Sequence, residues 1–374
     1  MKLALEAKHL WRTDPLYKDF YYERGLVWAD INRSEFSKNV IANYEGFGVK
    51  GSDEKCELVT PDAIRDLNHG LFSGADLGDL TEVLLNESSG WVEARETLQK
   101  VIDAAVSTGV VKYIETDISS LILDEDRSVC TGARSVDGQV FISDSVILAT
   151  GAETARLLVK SSPETPELHV GSRMSAAGLI TGVVKLGQKD AEQFRSGPAF
   201  LLAGGEGQGG MIPPNAENEL KITCDLSFTN TIEICNGNRI STPPSDPLSN
   251  YSAFAAEMNH ALATVSEHML GDQGQAFEYE DCRICWDAIT PDQNFIICQH
   301  PRCKHLFMAT GGSFHSWKFF PILGKYVVQM LEGQLDQSLA QRWAWDRDSI
   351  TSTTNERMMP VREMRDLKRN RSST

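Results

Sequence analysis

The 374-residue sequence lacks any hydrophobic run long enough to cross a membrane, and it lacks an excess of basic residues. A bilayer span needs roughly 20 consecutive apolar residues, and no segment approaches that length. Lys and Arg number 36 against 52 Asp and Glu, so the formal net charge is -16 at pH 7 and the isoelectric point is near 5.0. Such a surface repels phosphate groups from most directions, which argues against nucleic acid and anionic membranes as partners. A small-molecule ligand is the better expectation.

Targeting signals are also absent. The segment Met1–Glu6 lacks the hydrophobic stretch of a signal peptide, and the C-terminal residues Arg371 to Thr374 do not form the peroxisomal Ser-Lys-Leu signal. We therefore expect a soluble, cytoplasmic protein. With 41% hydrophobic and 24% charged residues, the chain is in the globular range and long enough for two domains. Its eight cysteines are expected to be free thiols, as is usual inside cells.

A recognisable phosphate-binding glycine turn is missing as well. The pattern G-x-G-x-x-G occurs at Gly46–Gly51 and at Gly205–Gly210. It binds pyrophosphate only between a buried strand and the N-terminus of a helix. Asn43–Glu45 does not read as a strand, and Pro213 and Pro214 prevent a helix after the second match. We expect both matches to be loops.

Periodicity in residues 91–151 predicts part of a dinucleotide-binding domain. Apolar residues at helical spacing predict a long helix from Trp91 to Gly109, with Ser88 or Ser89 as its N-cap. The period then changes to two, which predicts strands and a final buried strand. These strands are Val110–Ile114, Ser120–Leu123, Gln139–Ile142 after a turn at Asp137 and Gly138, and Ser145–Thr150. A helix, a meander and a returning strand form the second half of a doubly wound domain.

The apolar strand that begins at Val146 ends in Thr150-Gly151-Ala152, where the backbone can pass close to a dinucleotide. An ordinary buried strand with a glycine turn is the alternative. Elsewhere the sequence predicts strands and helices that alternate without an internal repeat. They are a strand at Gly25–Trp28, a short helix after Thr60, a helix near Thr154–Leu158, strands with one helix (Phe254–Leu270) over 170–285, strands at Asn294–Cys298 and His305–Thr310, and a helix at Pro321–Leu331.

Four cysteines near the C-terminal part have two interpretations. Cys282 and Cys285 form a C-x-x-C pair, and Cys298 and Cys303 follow, so a structural zinc site is one hypothesis. Pro301 between the second pair disfavours a zinc knuckle. Buried thiols are the simpler interpretation for Cys282, Cys298 and Cys303.

Cys285 is followed by Thr290-Pro291-Asp292 and an apolar strand, and then by Gly311-Gly312 and by Lys318 between aromatic residues before a helix. This order resembles the FAD-dependent amine oxidase family of monomeric sarcosine oxidase and fructosyl amino acid oxidase (amadoriase), with saccharopine and pipecolate oxidases. The resemblance implies an α/β fold: an FAD-binding doubly wound domain of the glutathione-reductase and D-amino-acid-oxidase type, with an α+β substrate domain built on a mixed sheet. It implies oxidation of the C–N bond of a secondary amine or N-substituted amino acid. Oxygen would be the acceptor, and an imine and hydrogen peroxide the products.

The resemblance also implies the roles of individual residues. Cys285 would bind FAD covalently, and Lys318 would act in catalysis by holding the substrate carboxylate beside the flavin. Arg357 would be a second substrate contact. The other implied cofactor contacts are Ile118, Thr150, Gly151, Gly311, Gly312, Ser313, Phe314 and His315. The amides of Gly311, Gly312 and Ser313 would face the flavin pyrimidine edge. The family commonly has glycine at the positions of Phe314 and Ser316, so the pocket is expected to differ in shape.

The family begins with a strand, a glycine turn and a helix, and this sequence starts beyond that unit. We expect residues 1–165 to form the rest of the FAD-binding domain with an inserted substrate-domain segment, 166–284 the substrate domain, 285–345 a return to the first domain, and 346–374 a tail. A monomer is expected. Either the gene model is truncated, or the chain is an inactive flavin-fold fragment or a zinc-stabilised binding protein. A true fragment would expose apolar strand edges and be unstable without a partner.

Overall fold

The computed structural model describes residues 1–32, 35–47, 54–245, 251–347 and 359–367. Its helices are α1 (Lys2–Thr13), α2 (Phe36–Gly46), α3 (Pro61–Arg65), α4 (Leu67–Gly70), α5 (Ala94–Ser107), α6 (Thr154–Ser161), α7 (Gln188–Ser196), α8 (Ala255–Leu270), α9 (Asp272–Gln275), α10 (Phe320–Leu331) and α11 (Gln337–Arg342). Within these residues, no helix is both long and apolar enough to span a bilayer.

The strands fall into a large mixed sheet and several small ones. They are β1 (Tyr21–Tyr22), β2 (Leu26–Asp30), β3 (Cys56–Val59), β4 (Val83–Asn86), β5 (Trp91–Val92), β6 (Ile118–Leu123), β7 (Cys130–Ser135), β8 (Val140–Ile142), β9 (Val146–Leu148), β10 (Ser175–Lys185), β11 (Ala199–Ala203), β12 (Gly209–Ile212), β13 (Glu219–Thr229), β14 (Thr231–Ile234), β15 (Asn238–Ser241), β16 (Arg283–Ile289), β17 (Ile296–Gln299), β18 (Leu306–Thr310) and β19 (Arg362–Glu363).

The large sheet has the order β16-β10-β13-β12-β11-β2-β4-β3, and β19 pairs with β13 in parallel. Helix α8 covers one face of this sheet. Its residues Met258, Leu262, Val265 and Met269 repeat every three or four positions and are completely buried in the main core. Burying each such side chain contributes about 1.5–3 kcal/mol. Gly209 allows the close packing, because a β-carbon there would lie 2.7 Å from Val265.

A three-stranded sheet, β17-β18-β9, lies apart from the large one. Strands β18 and β9 run parallel, with Met308 opposite Leu148, and β17 is antiparallel to β18. The sequence predicts a strand here that is buried on both faces, and that prediction is wrong for one face, because the side chain of Ile147 is 42% exposed. Strand β9 lies at the edge of this sheet, and no described strand pairs with its outer side.

The predicted strands at Ser120–Leu123 and Gln139–Ile142 and the turn at Asp137 and Gly138 are confirmed, and β7, which was not predicted, pairs between β6 and β8 in an antiparallel sheet. The predicted strand Val110–Ile114 is wrong. These residues form no strand, and the side chains of Val110 and Tyr113 are 88% and 63% exposed. Alternating apolar residues form a strand only where a partner supplies hydrogen bonds, and none of the described strands does so here.

The predicted long helix forms, but it begins at Ala94 rather than at Trp91. Trp91 belongs to β5, which pairs with β1, and its ring stacks on that of Tyr22 with centroids 4.3 Å apart. Ser88 is not a helix cap, since its hydroxyl accepts the Lys55 N–H at 2.6 Å. Cross-strand pairing of two large aromatic rings outweighs helix propensity at this position.

Other predictions from the sequence have mixed outcomes. The predicted cap at Thr60 is confirmed, because its hydroxyl accepts the Ala63 N–H at 3.3 Å. Helices α6, α8 and α10 and strands β2, β17 and β18 lie where they were expected to within a few residues, whereas α7 was missed. The match Gly205–Gly210 is not entirely a loop, since Gly209 and Gly210 belong to β12. Gly46 ends helix α2 instead of lying in a loop, and Gly48 to Gly51 lie outside the described residues.

Candidate functional site

Three chain segments meet at one edge of the three-stranded sheet. Strands β9 and β18 are parallel neighbours, so their carboxyl ends lie side by side. Thr150 and Gly151 follow β9, and Gly311 and Gly312 follow β18. Strand β17 starts at the same edge, where Ile296 is opposite Thr310. Ligands of open α/β sheets bind outside the carboxyl ends of parallel strands. The fold therefore brings together two of the predicted cofactor segments.

The turn at residues 311–315 has a left-handed backbone at three of its positions. The φ angles are +78° at Gly311, +49° at Ser313 and +60° at Phe314. The first is easily adopted by glycine, whereas the other two are uncommon for residues with a β-carbon. Gly312 is needed for space, since a β-carbon would lie 2.9 Å from the Oδ2 atom of Asp287.

Ser313 anchors this turn to the strand beside it. Its N–H donates to the Ala288 carbonyl at 2.9 Å, and its hydroxyl accepts the Thr290 N–H at 3.2 Å. The expectation that the Ser313 amide faces a ligand therefore fails, because that amide already has an acceptor. The Gly312 N–H has no acceptor among the described residues and stays available.

Strand β16 presents Cys285 on the same face as the turn. Cys285 lies opposite Leu179, and Asp287 lies opposite Ala177, so their side chains share one face. Phe314 and Met359 pack against the small cluster that Ala177, Leu179 and Ile289 form. The Cys285 thiol is half-buried and has no hydrogen-bond partner in the described part of the chain. Cys285 thus shares a strand face with Asp287, the residue that contacts the turn, and its role in binding FAD stays a prediction.

Asp287 was not singled out from the sequence. Its Oδ2 atom accepts the Phe314 N–H at 2.6 Å, and its Oδ1 atom accepts the Ala288 N–H at 2.7 Å. Burial raises the pKa of Asp287, while these two backbone donors act in the opposite direction. No Lys or Arg of the described ranges forms an ion pair with it.

Arg347 was also missed, because it lies 55 positions after its partner. Its guanidinium binds the Asp292 carboxylate and also donates to the carbonyls of Asn294 at 3.1 Å and Phe295 at 3.0 Å. These bonds order the Thr290-Pro291-Asp292 turn at the edge of the site. A lone Arg after a final helix carries no sequence signal for such a contact.

Lys318 lies between the turn at residues 311–315 and helix α10. The side chain is exposed to solvent, yet the surrounding protein desolvates the amine enough to lower its pKa. The carbonyl of Lys318 accepts the Trp11 indole N–H at 3.0 Å, and its amine lies 5.1 Å from the ring centre of Phe319. Among the described residues no carboxylate pairs with it. A cation in this position is costly without an anionic partner and is suited to receive one.

His315 packs behind the turn. One ring nitrogen, Nε2, lies 2.8 Å from the Gln293 carbonyl, and the ring contacts those of Phe295 and Phe319. Burial, with a smaller effect of the Lys318 charge, lowers the pKa of His315 to about 4. The imidazole is therefore neutral at pH 7 and donates from Nε2 to the carbonyl. Its Nδ1 atom is buried without a partner in the described residues.

The remaining predicted residues lie in different places. Gly151, with φ of +50°, opens a helical turn that packs against β10 and β16, and the Thr150 hydroxyl is 2.8 Å from that of Thr154. Ile118 begins β6 and is 38% exposed. Arg357 lies outside the described residues.

The zinc hypothesis finds no ligand set. No group of three or more His, Cys, Asp or Glu side chains suited to a metal occurs in the described part of the chain. Cys282 instead donates a hydrogen bond to the Asn259 side chain at 3.0 Å and packs against the main core, whereas Cys298 and Cys303 belong to a different cluster. The spacing of these thiols in the sequence therefore does not become a tetrahedral site.

Comparison with known proteins agrees with this geometry. The family model described as FAD dependent oxidoreductase matches residues 1–330. L-saccharopine oxidase of Schizosaccharomyces pombe is 26% identical over 381 residues, covering 94% of this chain and 81% of that protein. Monomeric sarcosine oxidase of a Bacillus species is 21% identical over 336 residues, covering 86% and 80%.

Solved structures confirm the expected fold. A modified fructosyl peptide oxidase from Aspergillus nidulans superposes with a TM-score of 0.81 at 22% identity, covering 98% of this chain and 84% of that one. The fructosamine oxidase Amadoriase II from Aspergillus fumigatus gives 0.75 at 20% identity, covering 98% and 82%. The mixed α/β architecture predicted from the sequence is that of these proteins.

Proposed function

The chain belongs to the FAD dependent oxidoreductase family, and on that premise we propose that it oxidises the C–N bond of a secondary amine or N-substituted amino acid. Oxygen is the proposed acceptor, and an imine and hydrogen peroxide are the proposed products. Relatives are named for saccharopine and sarcosine, both of which are secondary amines that carry a carboxylate. A substrate of that class joins an oxidisable amine to an anionic group.

The observation that carries this proposal is the amine of Lys318. It stands three residues after the turn at residues 311–315, the surrounding protein desolvates it enough to lower its pKa, and no described carboxylate neutralises it. An amino acid carboxylate would supply the missing charge and would be held firmly in a partly desolvated site. Holding that carboxylate would fix the amine-bearing carbon of the substrate relative to the turn.

The residues present fit the ring end of FAD. The Gly312 N–H has no acceptor and the Cys285 thiol has no hydrogen bond among the described residues, and both border the same face of β16.

A second segment suits the phosphates of FAD. The Gly151 turn and the N-terminus of α6 lie at the carboxyl edge of the three-stranded sheet, where backbone donors suit phosphate oxygens. When bound, FAD supplies a two-electron acceptor that molecular oxygen can reoxidise.

The roles of the chain's own residues follow from their positions. Cys285 would hold the cofactor through a thioether, and the Gly312 N–H would stabilise negative charge that develops beside it. Phe314 and Met359 pack on the cluster of Ala177, Leu179 and Ile289 with apolar side chains, which would limit the access of water. Neutral His315 supports the turn from behind by donating to Gln293.

The test begins with the visible spectrum of the purified protein, with and without added FAD. We expect a flavin spectrum, and then peroxide release and oxygen consumption with an N-methylated or N-alkylated amino acid but not with the corresponding amine that lacks the carboxylate. An anaerobic assay with an artificial electron acceptor separates the role of oxygen from substrate oxidation. A protein that binds no FAD, or that oxidises none of these amines with either acceptor, would contradict the proposal.

A further inference from the structure

We infer that Asp287 is a positioning residue, which holds the turn at residues 311–315 over the flavin cleft by accepting the Phe314 N–H. This inference rests on the proposed function, because it assumes that FAD occupies the cleft beside this turn. Asp287 is on β16, two residues after Cys285, and its carboxylate reaches across to the turn that leads to Lys318. It thus joins the strand that would carry the cofactor to the segment that would bind the substrate.

The turn needs such a contact because its backbone is unfavourable. Ser313 and Phe314 are consecutive residues with left-handed φ angles of +49° and +60°. A residue with a β-carbon keeps that conformation only where surrounding contacts enforce it. Ser313 is held by Ala288 and Thr290, and Phe314 is held by Asp287 through a charge-assisted bond of 2.6 Å.

A buried carboxylate such as that of Asp287 is too costly to serve only as packing in the core. Burying a charge is costly unless it is paired, and Asp287 has no cationic partner among the described residues. Its two acceptor atoms are used by the backbone N–H groups of Phe314 and Ala288. Gly312 leaves room for it, since a β-carbon at that position would touch both carboxylate oxygens, at 2.9 and 3.0 Å. Glycine at position 312 therefore leaves the space that the Asp287 carboxylate occupies.

Two interpretations give different results. If Asp287 positions the turn, losing it should weaken probe binding most when residue 314 is Phe, which adopts a left-handed backbone only with support. Glycine at position 314 adopts that backbone freely, so the Asp287 contact is then no longer required. If Asp287 only stabilises the fold, its loss lowers stability equally with either residue at 314. It then leaves the flavin spectrum of the folded protein unchanged.

A double-mutant cycle separates them, using flavin-loaded Asp287→Ala, Phe314→Gly and the double variant. The probe is acetate, which has the carboxylate but no oxidisable amine, titrated against the visible flavin spectrum, with unfolding temperature as a second readout. We expect Asp287→Ala to shift the flavin spectrum and to weaken binding of the probe roughly tenfold or more, since it removes a charge-assisted bond. The double variant should recover most of that loss. Asp281→Ala is the matched control, because that carboxylate is exposed and its ion pair with Arg283, at 3.6 Å, lies outside the turn.

Several results would overturn the inference. They are additive losses in the double variant, or a folded Asp287→Ala protein with an unchanged spectrum and unchanged probe binding. If Asp287→Ala does not fold, Asp287→Asn takes its place, and rescue by Phe314→Gly remains the expected result. A wild-type protein that binds no flavin overturns the proposed function instead. The same cycle, measured as unfolding temperature, then still decides whether Asp287 acts through Phe314.

Discussion

The guanidinium of Arg347 donates two hydrogen bonds to the carboxylate of Asp292, at 2.6 and 2.8 Å, and the two side chains are only 12% and 5% exposed. This pair joins the turn before β17 to the segment after α11. Burial alone would raise the pKa of Asp292, but the bonds from Arg347 and the Asn294 N–H outweigh it and lower that pKa. The ion pair thus stabilises the folded state through an ionised aspartate.

Replacing Arg347 with leucine should destabilise the protein by about 3–5 kcal/mol at pH 7, because it leaves a buried carboxylate unpaired. The pKa of Asp292 in the folded wild type is below its ordinary value. The stabilisation by the pair is therefore fully present above the ordinary aspartate pKa and is lost as the pH falls through the lowered folded value. Urea unfolding at pH 7 and in steps down to acid pH should show the difference from wild type narrowing as the pH falls.

The matched control is Arg283→Leu. Arg283 and Asp281 are both more than half exposed and 3.6 Å apart, so their separation should cost only about 0–1 kcal/mol. Equal losses in the two variants would contradict the structural role given to Arg347.

Cysteine variants test the covalent attachment. Cys285→Ala should bind flavin that is released into the supernatant on acid precipitation, because the thioether cannot form. Cys282→Ala should keep its colour in the pellet, since the Cys282 thiol contacts Asn259 and lies outside the turn. Absorbance of pellet and supernatant gives the answer. Yellow pellets from Cys285→Ala would exclude this thiol as the attachment point.

Lys318→Met should weaken the binding of an amino acid substrate roughly 10- to 100-fold, because it removes a charged hydrogen bond to the carboxylate. Lys325→Met is the control, since Lys325 is exposed and already paired with Glu6 at 2.6 Å. Steady-state KM, or the dissociation constant of an unreactive carboxylate, measures the effect. An unchanged KM in Lys318→Met would argue that the carboxylate binds elsewhere.

The pH dependence of the same binding gives a further prediction. Burial lowers the pKa of Lys318 below its ordinary value. The Lys318 amine loses its charge as the pH rises through that lowered pKa. The affinity of the protein for the substrate carboxylate should therefore decline at a lower pH than it would if Lys318 had the ordinary lysine pKa. Binding measured from pH 7 upwards should show this decline in wild type and not in Lys318→Met.

Two glycines provide a comparison of backbone space. Gly312→Ala places a β-carbon 2.9 Å from both the Asp287 Oδ2 atom and the Ser316 hydroxyl, so the turn must shift and flavin binding should fall. Gly324 lies in α10 with open space around it, and alanine there should stabilise the helix by about 0.5–1 kcal/mol. Flavin content and unfolding temperature measure both effects. A Gly312→Ala protein with full flavin content would show that the turn adapts.

Local pattern predicted the regular elements well where one strong signal dominated. The amphipathic repeat of α8 and the capped start of α3 were confirmed. Val110–Ile114 has an equally clear alternation of apolar residues but forms no strand. Trp91 fits the apolar spacing of helix α5, yet it lies in β5 and pairs with β1. In both cases the outcome depended on whether a partner strand was in reach, which periodicity does not encode.

The residue types at the candidate site were visible in the sequence because chemistry restricts them. Cys285, the Gly311-Gly312 pair and Lys318 stand in an order that resembles the FAD-dependent amine oxidases, and that resemblance implied a flavin site. The matched family agrees with FAD as the ligand to expect, while the roles of these residues stay predictions. Composition and charge determined that the ligand should be a small molecule.

Only the tertiary structure decided which residues support that site. The register of β16 against β10 turns Asp287 towards Phe314, and the segment after α11 returns to bring Arg347 to Asp292. Each contact joins residues 27 or 55 positions apart, so no local pattern contains it. Tertiary packing also decided that the Ser313 amide donates to the Ala288 carbonyl and that the Lys318 amine is desolvated, because burial and hydrogen-bond partners depend on neighbours that are distant in the chain.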